Sequence, residues 1–117
     1  MTKLEDFATQ LTIDTTKLTK YALNPKSEKG RHKARVFEAV LGYTQSNYQS
    51  LLAQIQAQAL NAPAKTIRTD KFGVHLQVDL EIIGPNGKTA IVRTGWLVEP
   101  NSDTARLTTL YLKEEIG

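Results

Sequence analysis

A chain of 117 residues, 40% hydrophobic and 23% charged, has the size and composition of one soluble globular domain with a single modest core. It contains no cysteine, which excludes disulfides and thiolate metal sites and fits a reducing, cytoplasmic setting. Net charge is +3, a mild lean toward polyanions, and no apolar run has the length of a signal-peptide core or approaches the ~20 residues of a membrane span.

The first half reads helical. Asp14 is placed to cap a short helix over TTKLTKYAL, whose Leu18, Tyr21 and Ala22 share one side, and Asn24 and Pro25 end it. A polar loop leads to Gly30. The spacing of Val36, Phe37, Val40 and Leu41 then predicts a second helix over about 31–41, stopped by Gly42. Thr44 is placed to cap a third, with Asn47 where a capping box prefers Glu or Gln. Its apolar stripe is Tyr48, Leu51, Leu52, Ile55 and Ala59, glutamine fills much of the rest, and Asn61 and Pro63 close it.

From Lys65 onward the period becomes alternating. In VHLQVDLEI, Val74, Leu76, Val78, Leu80 and Ile82 alternate with His75, Gln77, Asp79 and Glu81, the pattern of a half-buried strand. GPNG at 84–87 is a tight hairpin turn. The returning strand carries Ala90, Val92, Trp96 and Val98 on one parity. A turn around PNSD leads to a last strand, RLTTLYL, and a shorter strand precedes Phe72 and Gly73. The expectation is an α+β fold, with two to three N-terminal helices packed on one face of a three- to four-stranded antiparallel sheet. One domain would span 1–117, helical to about 62 and sheet from about 64 to 113.

If the apolar parity packs on the helices, the other face is open. It would carry His75, Gln77, Asp79 and Glu81, then Ile91, Arg93, Gly95 and Leu97, then Thr109 and Tyr111. Gly95 beside Arg93 leaves room for a ligand or another backbone to approach. Asp79 and Glu81 read either as a carboxylate pair for Mg²⁺ or glycosidase chemistry, or as ion-pair partners of Arg93 or Lys88 across the hairpin. The second reading is preferred, and Trp96 is read as core. His75 is read as a surface histidine or, functionally, as a general acid or base.

Charge is concentrated in KSEKGRHKAR at 26–35, where Lys26, Lys29, Arg31, Lys33 and Arg35 accompany His32 and only one acid, Glu28, while the tail YLKEEIG is acidic. The cluster reads as a solvated helix start or as an anion site. Cations at a helix N-terminus oppose the macrodipole, whereas a bound phosphate would be favoured both by free N–H groups and by these side chains. No metal-binding spacing, nucleophile elbow or phosphate-binding glycine loop is present, so no metal or nucleotide cofactor is expected.

The pattern resembles a bacterial family catalogued as a domain of unknown function. The family's elements are similar to KL..Y.LNP, G..KA..F...LGY, GPNG..A.VRT.W and RL.T.Y, which fall here within residues 17–25, 30–43, 84–96 and 106–111. The resemblance covers about residues 13–112. Such domains occur as standalone proteins and as modules of phage-head-like and toxin-like polypeptides. Helices followed by an antiparallel sheet are also similar to the barnase–EndoU–colicin–RelE class of metal-independent ribonucleases. Many family members carry HP in the loop after NP, where this chain has KSEKG, so a loop histidine is absent here.

The resemblance implies a small toxin-like ribonuclease in which a ribose 2′-OH attacks the adjacent phosphate. In that reading Lys33 and Arg93 stabilise phosphate, His75 or Tyr111 transfers protons and Thr109 orients the phosphate. Lys29, Arg31, His32 and Arg35 bind RNA, and the natural inhibitor is an acidic antitoxin or immunity protein. One alternative is a non-enzymatic module holding a nucleic acid or an acidic partner protein. Another is a structural accessory of a phage or mobile element.

Overall fold

The structure, a computed structural model, describes residues 2–113; Glu114 and Glu115, the acids of the tail, lie outside them. A short 3₁₀ turn (Leu4–Asp6) and strand β1 (Gln10–Thr12) lead to a π-helical turn (Lys17–Ala22). Helices α1 (Arg31–Leu41) and α2 (Tyr48–Gln58) follow, then strands β2 (Ala64–Asp70), β3 (Gly73–Ile83), β4 (Thr89–Val98) and β5 (Thr104–Leu112). The five strands form one sheet in the order β1-β5-β4-β3-β2.

This is an α+β architecture with helices on one sheet face, and it departs from the expected fold in three respects. The sheet has five strands rather than three or four, because the three-residue β1 carries too short a pattern to be read as alternating. It is not purely antiparallel: β1 runs parallel to β5, pairing Gln10 with Thr104 and Thr12 with Arg106. A strand therefore lies inside the part of the chain that reads as helical. The first helix is a π-helical turn, and α2 begins at Tyr48 rather than directly after Thr44. Asn47 does reach back to the Thr44 N–H (2.7 Å), but this bond closes the turn before the helix.

Amphipathic periodicity explains how the helices dock. Ala34, Phe37 and Leu41 of α1 are buried while Arg31, His32 and Arg35 face out. Gly42, in the left-handed region at φ 82°, stops the helix, and its N–H caps the Phe37 and Glu38 carbonyls. The α2 glutamines have a specific task. Strand β2 pairs with β3 only as far as Val78, which leaves the outer edge of the last β3 residues without a strand partner. Gln54 donates to the Ile83 carbonyl (2.9 Å) and accepts from its N–H (2.8 Å), and Gln58 donates to the Glu81 carbonyl (3.2 Å). Side-chain amides thus satisfy strand groups that would otherwise stand open.

The core lies between this helical layer and the sheet. Leu76, Val78, Leu80 and Ile82 of β3, Val92 and Trp96 of β4, and Leu107, Leu110 and Leu112 of β5 pack against Phe37, Leu41, Leu51 and Ile55. Thr94 is buried among them with its hydroxyl satisfied: it donates to the Val78 carbonyl (2.7 Å) and accepts from the Trp96 indole (2.8 Å).

Candidate functional site

Six of the residues that parity assigns to the opposite face of the sheet meet there, while Glu81 and Ile91 line a different groove. A depression of about 230 Å³ is lined by His75, Gln77, Arg93, Gly95, Thr109 and Tyr111, with Arg68 and Ile67 from β2 at its side. Register fixes the neighbours: His75 stands opposite Leu97, Asp79 opposite Arg93, and Arg93 opposite Tyr111. Leu97 shares this parity but is buried.

Lys33 reaches this face from α1. Its ammonium donates to the Thr109 hydroxyl (3.2 Å) and to the Tyr21 hydroxyl (2.9 Å). It also lies 4.7 Å from the centre of the Tyr21 ring and 5.3 Å from that of Tyr111. Among the described residues no carboxylate comes within 4.0 Å of it. Gly30 permits the approach, since a Cβ there would stand 1.9 Å from the Tyr21 carbonyl oxygen. The start of α1 can therefore press against the π-helical turn.

Arg93 is bound differently. Its Nε and Nη2 donate to the two oxygens of Asp79 (2.9 and 3.1 Å), the cross-hairpin pairing preferred from sequence. Asp79 also has Lys113 at 3.8 Å, so two cations share one carboxylate. The Arg93 bond holds the Asp79 carboxyl below its ordinary range, against a smaller upward push from burial. Asp79 in turn raises Arg93, with a lesser contribution from the Tyr111 hydroxyl. Two of five guanidinium N–H groups are used on Asp79, leaving others for an oxyanion.

His75 is paired as well. Its Nε2 lies 3.0 Å from both oxygens of Asp70, which further accept from the Phe72 N–H (2.9 Å) and Arg68 Nε (3.3 Å). The histidine bond is the largest influence holding the Asp70 carboxyl below its ordinary value. An ionised carboxylate only accepts, so Nε2 carries the proton and Nδ1 of the neutral ring remains an acceptor.

Of the two uses read for Gly95, room for a ligand or for another backbone, the structure favours the second. Between Gly95 and Trp96 the register shifts, so that Thr108 is the extra residue of a β5 bulge. A Cβ on Gly95 would stand 2.9 Å from the Thr109 methyl, so the space is taken by β5 itself. Glu81 and Lys88 form no ion pair among the described residues.

The rest of the basic cluster is not brought to the depression. Lys29, Arg31, His32 and Arg35 are exposed, and His32 and Arg35 instead line a separate groove of about 960 Å³ between α1 and the ends of β4 and β5, together with Glu81, Ile91 and Leu112. Asp70 and Tyr21 were not singled out from sequence as site residues. Counting back across the β2–β3 turn places Arg68 opposite His75 and Asp70, which is opposite Gly73, on the neighbouring diagonal; Tyr21 gave no such signal. Among the described residues no three His, Asp or Glu side chains are grouped to hold a metal ion, and no helix is long and apolar enough to cross a membrane.

The fold has a solved counterpart. A chain of the contact-dependent growth inhibition toxin–immunity protein complex from Klebsiella pneumoniae 342 superimposes with a TM-score of 0.68 at 18% sequence identity, over 88% of this chain and 93% of that one. At that identity the likeness is one of fold. No curated protein matches the chain. The family model described as Domain of unknown function (DUF6883) matches residues 3–114, nearly the whole length, and the chain belongs to that family.

Proposed function

We propose that this protein is a small toxin-like ribonuclease that cleaves RNA without a metal, by attack of a ribose 2′-OH on the adjacent phosphorus. The observation that carries the reading is the convergence on one open sheet face of Lys33 from α1, His75 from β3, Arg93 from β4 and Thr109 and Tyr111 from β5. Lys33 and Arg93 both adjoin Tyr111, so a phosphate there meets two cations. The O2′–P bond forms as the P–O5′ bond breaks. The 2′-OH proton passes to His75 Nδ1, held in the acceptor tautomer by Asp70, and the leaving oxygen takes the Tyr111 proton. Lys33 and Arg93 offset the charge that grows on phosphate and on the tyrosinate. Thr109 holds Lys33 in place.

The test is incubation of the purified protein with total RNA in excess EDTA, with Lys33→Ala and Arg93→Ala alongside. Cleavage to 2′,3′-cyclic phosphate ends that fails in both variants supports the reading. Intact RNA in every lane at high protein concentration rejects it.

A second reading has its own support. His75 and Arg93 are each tied to a carboxylate in the free protein, and the solved counterpart belongs to a toxin–immunity complex. A non-enzymatic module would use the same cationic face to hold an acidic partner protein, and Lys33→Ala would weaken that association with no cleavage at any stage.

A further inference from the structure

A second hollow, of about 470 Å³, adjoins the depression, and Thr108 and Thr109 line both. Its other walls are Asp14, Thr16, Lys17 and Tyr21. Lys33 stands at the divide, bonded to Thr109, which lines both hollows, and to Tyr21 of the second.

The two hollows differ in how their carboxylates are engaged. At the depression Asp79 and Asp70 are bound to Arg93 and His75 and do not themselves line it, which leaves the remaining Arg93 N–H groups for phosphate. The second has Asp14 opposing Lys17, so a phosphate gains little there. Asp14 is also locally oriented: Oδ1 accepts from the Thr16 N–H (3.0 Å) and hydroxyl (2.7 Å), while Oδ2 accepts from no described residue. Those Thr16 bonds hold the carboxyl below its ordinary value, so the free oxygen stays an acceptor at neutral pH. A carboxylate acceptor beside an aromatic ring fits a nucleobase presenting N–H groups.

We propose that this second hollow is a base subsite. It takes a nucleobase with an exocyclic amino group, on the nucleotide adjoining the phosphate held at Lys33 and Arg93. The proposal rests on the ribonuclease reading of the depression and narrows it to single-stranded substrate, because a base seated in the hollow has to leave its stack and its pairing partner.

The experiment measures binding, which needs no cleavage: fluorescence anisotropy with labelled 2′-deoxy homo-oligomers of adenine, cytosine and thymine. Thymine lacks an exocyclic amino group. The adenine and cytosine oligomers should bind about fivefold more tightly than the thymine oligomer. Asp14→Asn keeps an oxygen for Thr16 but turns the free acceptor into a donor, and should erase or invert that order. Lys17→Ala should weaken all three to a similar degree. An absent preference, or one that survives Asp14→Asn, overturns the subsite while leaving the phosphate site standing. If no oligomer binds at any salt concentration, the ribonuclease reading falls and the subsite with it.

Discussion

The two faces of the sheet are built on opposite terms. The helix-covered face is closed by apolar packing, and its few polar groups are fully matched, Thr94 between Trp96 and Val78 and Tyr43 with Ser50, Gln54 and the Ile83 carbonyl. The open face holds its charges half-buried in pairs, Arg93 with Asp79 and His75 with Asp70, and Lys33 stands between two tyrosine rings with no carboxylate of the described residues beside it. Stability is concentrated in the first arrangement and electrostatic potential in the second. A charge confined in a medium less polar than water acts more strongly on an incoming anion than one at full exposure.

Substitutions on the two faces should therefore separate stability from function. Phe37→Ala, in the covered core, should cost about 3–5 kcal/mol in urea unfolding, and activity would fall only as far as folding does. Lys33→Ala should lower cleavage by roughly 10²–10³ in rate. It removes two hydrogen bonds and two ring contacts, so its cost in stability should be only about 1 kcal/mol. A Lys33→Ala protein that unfolds with the core variants would break the comparison. Gln54→Ala uncovers the edge of β3 and should cost about 1–2 kcal/mol with the site intact.

Acid sharpens the same contrast. The Asp79 carboxyl is depressed in the folded state, so its contribution is complete above the ordinary value of 3.8 and is lost as pH falls through the lower folded value. The urea midpoint should drop as pH falls below about 4, and Asp79→Asn should flatten part of that drop. Smallest of all, Glu99→Gln at the exposed Arg106 pair should move stability by less than about 0.5 kcal/mol.

The covered face was legible in the sequence because periodicity reports burial. The spacing of Val36, Phe37, Val40 and Leu41, with Gly42 after them, marks α1 and its end at Leu41, and the alternation from Val74 to Ile82 gives β3 its inward side. Strand β1 was not legible, since three residues paired through the backbone to a distant strand leave no period. On the open face, parity supplied the membership but not the partners. Asp79 beside Arg93 follows from a hairpin with a known turn; Tyr21 beside Lys33 depends on how two helical segments pack, which no local pattern encodes. The basic run looked like one feature and is two, because a helix turns Lys33 toward the sheet while Arg31, His32 and Arg35 point elsewhere.

The central claim is that phosphate is held on the open face by Lys33 and Arg93. The most direct test is an amide and side-chain NMR titration of the intact protein with a 2′-deoxy oligonucleotide that it cannot cleave. The account predicts the largest shifts at His75, Arg93, Thr109 and Tyr111 and at the Lys33 ammonium, with little change along the outer side of α1. Shifts confined to Lys29, Arg31 and Arg35, with the open face silent, would contradict it.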